Sequence, residues 1–113
     1  MTTKEKPQDN PSGGLATMEA HEDLYQIILF DDNEHSYQYV IEMLTTLFDL
    51  SAQDAQQIAY EVDYVGQATV KVCELEEATS GRDRILAYGP DPRVRMSTTS
   101  MHAIVEAVEG HSE

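Results

Sequence analysis

Acidic and amide side chains are concentrated in one short stretch of the chain, Asp31–Glu34, and a histidine, His35, follows directly. Carboxylate oxygens carry negative charge and accept hydrogen bonds, so a cluster of them is suited to binding a cation, either an ammonium group or a hard metal ion. A metal site would use Asp31, Asp32, His35 and Asp63. Their spacing matches no metal-binding loop, and we interpret His35 as a solvated turn residue, so the metal site stays a minor alternative.

Rigid elements are predicted on both sides of the acidic stretch. Leu24–Phe30 is apolar with β-branched residues at its centre, which is typical of a buried strand. Ser36 is a suitable N-cap for a helix that continues to Phe48. Apolar residues recur in this helix at helical spacing: Tyr37, Val40, Ile41, Leu44, Leu47 and Phe48. The acidic stretch is therefore predicted to be a loop between a strand and a helix, where binding groups are often found.

Three further elements are predicted downstream. Ser51 caps a second helix, which stops before Gly66. Ala68–Cys73 alternates between apolar and polar residues and is rich in β-formers, which predicts a second strand. Glu76–Ala87 is a poorer helix, weakened by Gly81 and its neighbours.

The end of the chain is less regular. After a turn at Gly89–Pro92, the residues Arg93–Thr98 alternate as a third strand, and Met101–Val108 forms either a short helix or a frayed end. The order β-α-α-β-α-β predicts an α+β fold in which a three-stranded antiparallel sheet packs on helices. We divide the chain into a flexible N-terminal extension, 1–23, a core, 24–98, and a C-terminal extension, 99–113.

The charge of the chain narrows the range of partners. It has 7 basic and 21 acidic side chains and a formal net charge of −14, so phosphates are repelled and nucleic acid is an improbable partner. A basic or ammonium-bearing partner is favoured, although many of the scattered acids serve solubility alone. No apolar run approaches the roughly 20 residues that span a bilayer, and the single Cys73 fits a reducing compartment. We therefore expect a cytoplasmic protein with no membrane partner.

A likeness to a known family is carried by four segments: Tyr25–Asn33, Tyr39–Leu44, Ala55–Ile58 and Val62–Ala68. Together they resemble the ClpS family of adaptors for AAA+ Clp proteases, and the order of elements agrees with that fold. The resemblance implies a protein without catalytic activity or cofactor. It also implies the partners, which are N-terminal segments of substrate proteins (N-degrons) and the N-terminal domain of a Clp unfoldase, ClpA or ClpC.

The same resemblance implies a set of site residues. An acidic turn and a residue on the second helix would hold the substrate's α-amino group: Asp31, Asp32, Asn33 and Asp63. Apolar side chains and one cation would surround its first side chain: Tyr37, Val40, Ala59, Val62 and Arg93. Glu76 falls at an acidic position that docks the unfoldase, while a lysine position further along is Gly81.

Several of these positions depart from the family pattern. The Asn-Asp-Asp turn reads Asp31-Asp32-Asn33, the histidine of a His-x-x-Gly motif is Asp63, and a gatekeeping methionine is Tyr37. Three like charges close together should raise at least one carboxyl pKa, so that binding weakens in acid. An alternative is a diverged module that has kept the fold and changed or lost its specificity. A metal-dependent hydrolase is improbable, because no nucleophile, base and oxyanion donor converge in the sequence.

Overall fold

The computed structural model describes residues 23–108 of the chain. The proposed N-terminal extension lies outside this range up to residue 22, as do residues 109–113. The elements run in the order β1, α1, α2, β2, α3, β3, with these bounds: Tyr25–Phe30, Tyr37–Phe48, Ala52–Val65, Gln67–Cys73, Leu75–Leu86 and Ala103–Ala107. The predicted α+β class and the order β-α-α-β-α-β are confirmed.

The three strands form one antiparallel sheet in the order β2-β1-β3. Tyr25 at the start of β1 lies opposite Cys73 on one side and Ala107 on the other. The apolar run at the middle of β1 explains its central position, because Ile27, Ile28 and Leu29 are all buried. β1 is therefore the central strand, and the acidic stretch follows directly at its C-terminal end.

Both predicted N-caps are confirmed. The Ser36 hydroxyl accepts a hydrogen bond from the backbone N–H of Tyr39 at 3.1 Å, and Ser51 does the same for Asp54 at 3.0 Å. α2 ends at Gly66, whose φ of +101° is the left-handed conformation that glycine adopts without strain. These local signals fix where the two helices begin and where the second one stops.

Gly81 lies on the buried face of α3. A Cβ atom built there would be 2.6 Å from Ile27 Cδ1 and 2.9 Å from Phe48 Cε1, both too short for real contacts. The glycine that weakens the helix on propensity therefore lets α3 approach β1 and the end of α1. Packing outweighs intrinsic helix preference at this position.

The position of the third strand was predicted wrongly. Arg93–Thr98 forms turns, and the strand that pairs with β1 is Ala103–Ala107. The side chain of Asp91 accounts for the difference, since it accepts a hydrogen bond from the backbone N–H of Arg93 and folds the chain back on itself.

The prediction of a short helix or a frayed end for Met101–Val108 is also wrong. Residues there are taken up by β3, whose Ile104 and Val105 pair with Ile28 and Ile27 of β1. The backbone N–H of Val108 still bonds to the carbonyl of Leu24 at 2.9 Å. The described fold therefore continues past the proposed core boundary at residue 98.

Candidate functional site

A small cavity opens between the acidic turn, the first turn of α1, the C-terminal half of α2 and the segment before β3. Its volume is about 90 Å³. Polar side chains and apolar ones share its lining: Asp31, His35, Ser36, Tyr37, Val40, Ala59, Val62, Asp63 and Met101. The cavity thus combines two carboxylates with a partly apolar wall.

A backbone hydrogen bond brings the two carboxylates of the lining to the same cavity. The N–H of Asp31 donates to the carbonyl of Gly66 at 3.0 Å, which joins the end of β1 to the end of α2. Asp63 lies one turn before Gly66 on the same helix. The predicted meeting of the acidic turn with Asp63 therefore occurs for Asp31.

The pKa of Asp31 is raised above its usual value of 3.8. Asp31 is exposed by area, yet the protein around it displaces enough water for partial burial to be the main cause. The negative charges of Asp63 and Asp32 raise the pKa further, against a hydrogen bond from the Asp32 backbone that lowers it. The expectation that crowded acids raise at least one carboxyl pKa is confirmed, with burial as the larger contribution.

Asp32 and Asn33 do not line the cavity. One carboxylate oxygen of Asp32 accepts a hydrogen bond from the backbone N–H of Glu34 at 2.8 Å, and both oxygens lie 2.8–2.9 Å from Nδ1 of His35. Asn33 is exposed at the tip of the turn. Asp32 is therefore engaged in shaping the turn and holding His35.

His35 is not the solvated turn residue that we expected. Its side chain is 2% exposed and lines the cavity, with Nε2 2.7 Å from the carbonyl oxygen of Thr99. The ring also packs on Tyr39, with 4.6 Å between ring centroids. His35 precedes the N-cap of α1, and its contact with Thr99 joins residues 64 positions apart, so helical spacing did not reveal its burial.

Apolar side chains of α1 and α2 form one wall of the cavity, as expected. Val40, Ala59 and Val62 are buried there. Tyr37 stands at the edge, and its hydroxyl donates a hydrogen bond to the carbonyl of Gln56 at 3.1 Å, bridging the two helices. Met101, also buried, completes the lining and was missed from the sequence because β3 was placed too early.

Arg93 lies elsewhere. Its guanidinium pairs with Glu42 of α1 at 2.5 Å and with Asp91 at 3.4 Å, and it does not line the cavity. It was expected in the pocket wall because the family resemblance implies a pocket residue at this position, at the start of the strand predicted over residues 93–98. The structure gives it a part in attaching the loop after α3 to α1.

Asp91 is the buried acid of this region, with 1% of its surface exposed. Its carboxylate accepts hydrogen bonds from the backbone N–H of Ser36 at 2.6 Å and from that of Arg93 at 2.9 Å. Burial by itself would raise the pKa of Asp91, but these hydrogen bonds and the Arg93 guanidinium outweigh it and lower the pKa to about 2. Asp91 therefore holds the first turn of α1 against the loop.

Glu76 lies away from the cavity. It is exposed on α3, where it lines a shallow groove together with Thr79, Ser80, Asp83, Arg84 and Ala87. Gly81 does not join it, since Gly81 is on the buried face of the same helix. An exposed basic residue of this groove is Arg84, which the sequence did not single out.

Two negative findings apply to residues 23–108. Within that range, no group of three or more His, Cys, Asp or Glu side chains is arranged to hold a metal ion, so the metal-site alternative gains no support there. No helix in the same range is long and apolar enough to cross a membrane.

Comparisons with known proteins agree with one another. The family model described as "ATP-dependent Clp protease adaptor protein ClpS" matches residues 20–90, more than half of the chain. The adapter protein ClpS of Nautilia profundicola is 36% identical over 55 residues, which span 49% of this chain and 57% of that relative. The structure of Agrobacterium tumefaciens ClpS2 bound to L-phenylalaninamide matches with a TM-score of 0.67 at 20% identity, covering 78% of this chain and all of that one. This structural match supports the fold alone.

Proposed function

Because this chain belongs to the ClpS family of adaptor proteins of ATP-dependent Clp proteases, we propose that it binds the free α-amino group and first side chain of N-degron substrates. It then delivers them to a Clp unfoldase–protease for degradation. The family is one of adaptors, not of catalysts. The chain would act by binding two partners, without a reaction or cofactor of its own.

The observation that carries this proposal is the pairing of two carboxylates with an apolar wall in one cavity. A protonated α-amino group brings three N–H donors and a positive charge, and charge-assisted hydrogen bonds to carboxylates are the strong ones. Asp31 and Asp63 line the cavity and would accept those donors, while the neighbouring apolar residues would receive the first side chain. Asp32 would act by holding His35 and the turn in place.

The size of the cavity bears on which first side chain fits. A cavity of about 150 Å³ holds a benzene ring, whereas this one measures about 90 Å³. With Tyr37 bonded to Gln56, a side chain smaller than a phenyl ring is favoured. An aromatic first residue would require Tyr37 to turn away from the mouth.

Support for amine recognition also comes from a protein of the same fold. Agrobacterium ClpS2 was solved with L-phenylalaninamide, a single residue with a free amine. Independently of that relative, this chain has an acidic turn directly after β1, which supports the same kind of recognition.

The unfoldase would be ClpA or ClpC, docked through its N-terminal domain on the Glu76 groove, and the cell compartment would be the cytoplasm.

Matched peptides test the proposal. A set varying only in the first residue, each with a free and an acetylated N-terminus, would be titrated against the protein by fluorescence anisotropy at neutral pH. We expect acetylation to weaken binding by about a hundredfold or more, because it removes the positive charge and two of the three N–H donors that would bond to the carboxylates. The preferred free peptides should carry a small aliphatic or leucine first residue.

The other outcomes are distinct. Equal binding of free and acetylated peptides would rule out amine recognition and favour a diverged ClpS-like protein-binding module with altered or lost specificity for the first residue. That alternative has its own support, since Asp63 replaces the histidine that the family resemblance leads us to expect. Binding of a Clp unfoldase N-terminal domain, measured in parallel, would show whether the adaptor role survives in that case.

A further inference from the structure

A second groove lies beside the cavity on the exposed side of α2. Its volume is about 360 Å³, and it is lined by Tyr37, Gln53, Gln56, Gln57 and Tyr60. Tyr37 belongs to the lining of both depressions. Tyr37, whose hydroxyl donates a hydrogen bond to the carbonyl of Gln56, therefore lies where the cavity and the groove meet.

Two exposed aromatic rings extend this groove along the helix. Tyr60 and Tyr64 are 49% and 70% exposed, and their rings meet edge to face with centroids 4.4 Å apart. They are four residues apart, so they lie on one side of α2. Preformed aromatic surfaces of this kind are common at sites of protein contact, because they supply area at little cost in conformational freedom.

The charged side chains of α2 all have the same sign. α2 carries Asp54, Glu61 and Asp63, all exposed, and no Lys or Arg. A cationic side chain is attracted both by these carboxylates and by the faces of the tyrosine rings. The glutamines of the groove offer amide donors and acceptors that a peptide backbone can use.

We propose that this groove binds the residues that follow the first residue of the same N-terminal segment, with a Lys or Arg at its third or fourth residue packed on Tyr60 and Tyr64. The inference rests on the proposed function, since it takes the first residue to occupy the cavity. The shared wall at Tyr37 is the reason for choosing this occupant. A chain that leaves the cavity beside Tyr37 enters the groove within one or two residues, at about 3.3 Å of extended chain each.

Single amino-acid amides and tetrapeptides separate the groove from the cavity. Amides occupy the cavity alone, so their affinity reports the first-residue site. Tetrapeptides sharing the best first residue and carrying Lys, Ser or Glu at residues three and four report the groove. We expect the Lys peptide to bind about three- to tenfold more tightly than the Glu peptide at low salt, with the difference reduced at high salt.

Variants on α2 complete the test. Tyr60→Ala combined with Tyr64→Ala should remove most of the difference between Lys and Glu peptides and leave amide affinity unchanged. The matched control, Tyr60→Phe with Tyr64→Phe, keeps both ring faces and should keep the preference. Circular dichroism of all variants checks that α2 is retained, which we expect because both tyrosines are exposed.

The failures are distinguishable. If amides bind and tetrapeptides show no dependence on residues three and four, the groove proposal is overturned and the proposed function stands. The groove proposal is likewise overturned if the double alanine variant keeps the full preference for Lys. If neither amides nor tetrapeptides bind, both proposals fail together.

Discussion

Asp31 and Asp91 flank the same end of α1 and have opposite properties. Asp31 is exposed at the mouth of the cavity, and its pKa is raised by partial burial and by the nearby charges of Asp63 and Asp32. Asp91 is buried in the loop after α3, and its pKa is lowered to about 2 by hydrogen bonds from Ser36 and Arg93, in spite of its burial. Two aspartates near one helix terminus therefore differ in what surrounds them.

The contrast shows which acid is available to a ligand. The oxygens of Asp91 already have N–H donors from the backbone and from a guanidinium, so the ionised form is stabilised within the fold. Asp31 has other acids as its neighbours, and none of the described residues that shift its pKa is a cation. A cation bound at the cavity would stabilise the ionised form of Asp31. The ionised form of Asp91 is already stabilised by the hydrogen-bond donors of the fold.

The largest effect is expected from neutralising the acids at the cavity. Asp31→Asn together with Asp63→Asn should weaken binding of a free N-terminal peptide by about a hundredfold or more, because two charge-assisted hydrogen bonds are lost. The free energy of unfolding should stay unchanged or rise slightly, as like charges are removed. Calorimetric titration and urea unfolding measure the two quantities.

A suitable control for this double variant is Asp49→Asn. Asp49 is exposed at the other end of α1 with φ of +55°, a conformation that asparagine tolerates, so the charge changes without strain. α1 has 12 residues, so the control lies about 18 Å from the cavity. A comparable loss of binding in the control would mean that overall charge, not the two acids, attracts the peptide.

Asp91→Asn should lower the stability of the fold, because Asp91 takes part in holding the fold together and not in binding a ligand. The difference between the usual pKa of 3.8 and about 2 corresponds to about 2 kcal/mol, and an asparagine also presents an N–H to the donors that the carboxylate now satisfies. We expect Tm to fall by roughly 10 °C for a domain of this size. Exposed Asp83, which pairs with its neighbour Arg82, gives the matched control Asp83→Asn, and an equal fall there would contradict the contrast.

The pH dependence should separate the two acids in a single protein. As pH falls toward the raised pKa of Asp31, that carboxylate takes up a proton and affinity for the free amine declines several-fold, above the pH at which an ordinary aspartate would titrate. The stabilisation from Asp91 is fully present above its unfolded pKa and is lost only as pH falls toward about 2. Binding should therefore weaken while the circular dichroism spectrum is still native.

Two results would contradict this assignment of the two acids. One is an affinity that declines only where the spectrum also changes, since unfolding would then explain the loss. The other is a decline in affinity that occurs at the same pH in the Asp31→Asn variant as in the unsubstituted protein, because Asp31 would then not be the group that titrates.

Much of the fold follows from short-range signals in the sequence. Ser36, Ser51 and Gly66 mark helix ends through bonds to residues a few positions away, and all three are found where expected. The acidic turn after β1 was placed by the same kind of reasoning. Such features depend on local chemistry, which a sequence displays directly.

The failures depend on side chains that act over long distances. Arg93–Thr98 has the alternation of a strand, but Asp91 bonds to the local backbone and to Ser36, 55 residues earlier, and the segment becomes a set of turns. His35 is buried by its contact with Thr99, 64 residues later. Met101 lies just before β3 and lines the cavity, and it was missed because the third strand was predicted too early in the chain. Pattern and propensity carry no information about these tertiary contacts.

The packing at Gly81 also affects how the surface of α3 is oriented relative to the cavity. With no side chain to hold α3 away, the helix rests directly on β1 and on the end of α1. The surface that carries Glu76 and the cavity mouth that carries Asp31 are therefore connected through the direct packing of α3 on β1 and α1. Under the proposed function, a substrate bound at the cavity would keep a fixed orientation toward a partner docked on α3, and a methyl group added at Gly81 would disturb that orientation.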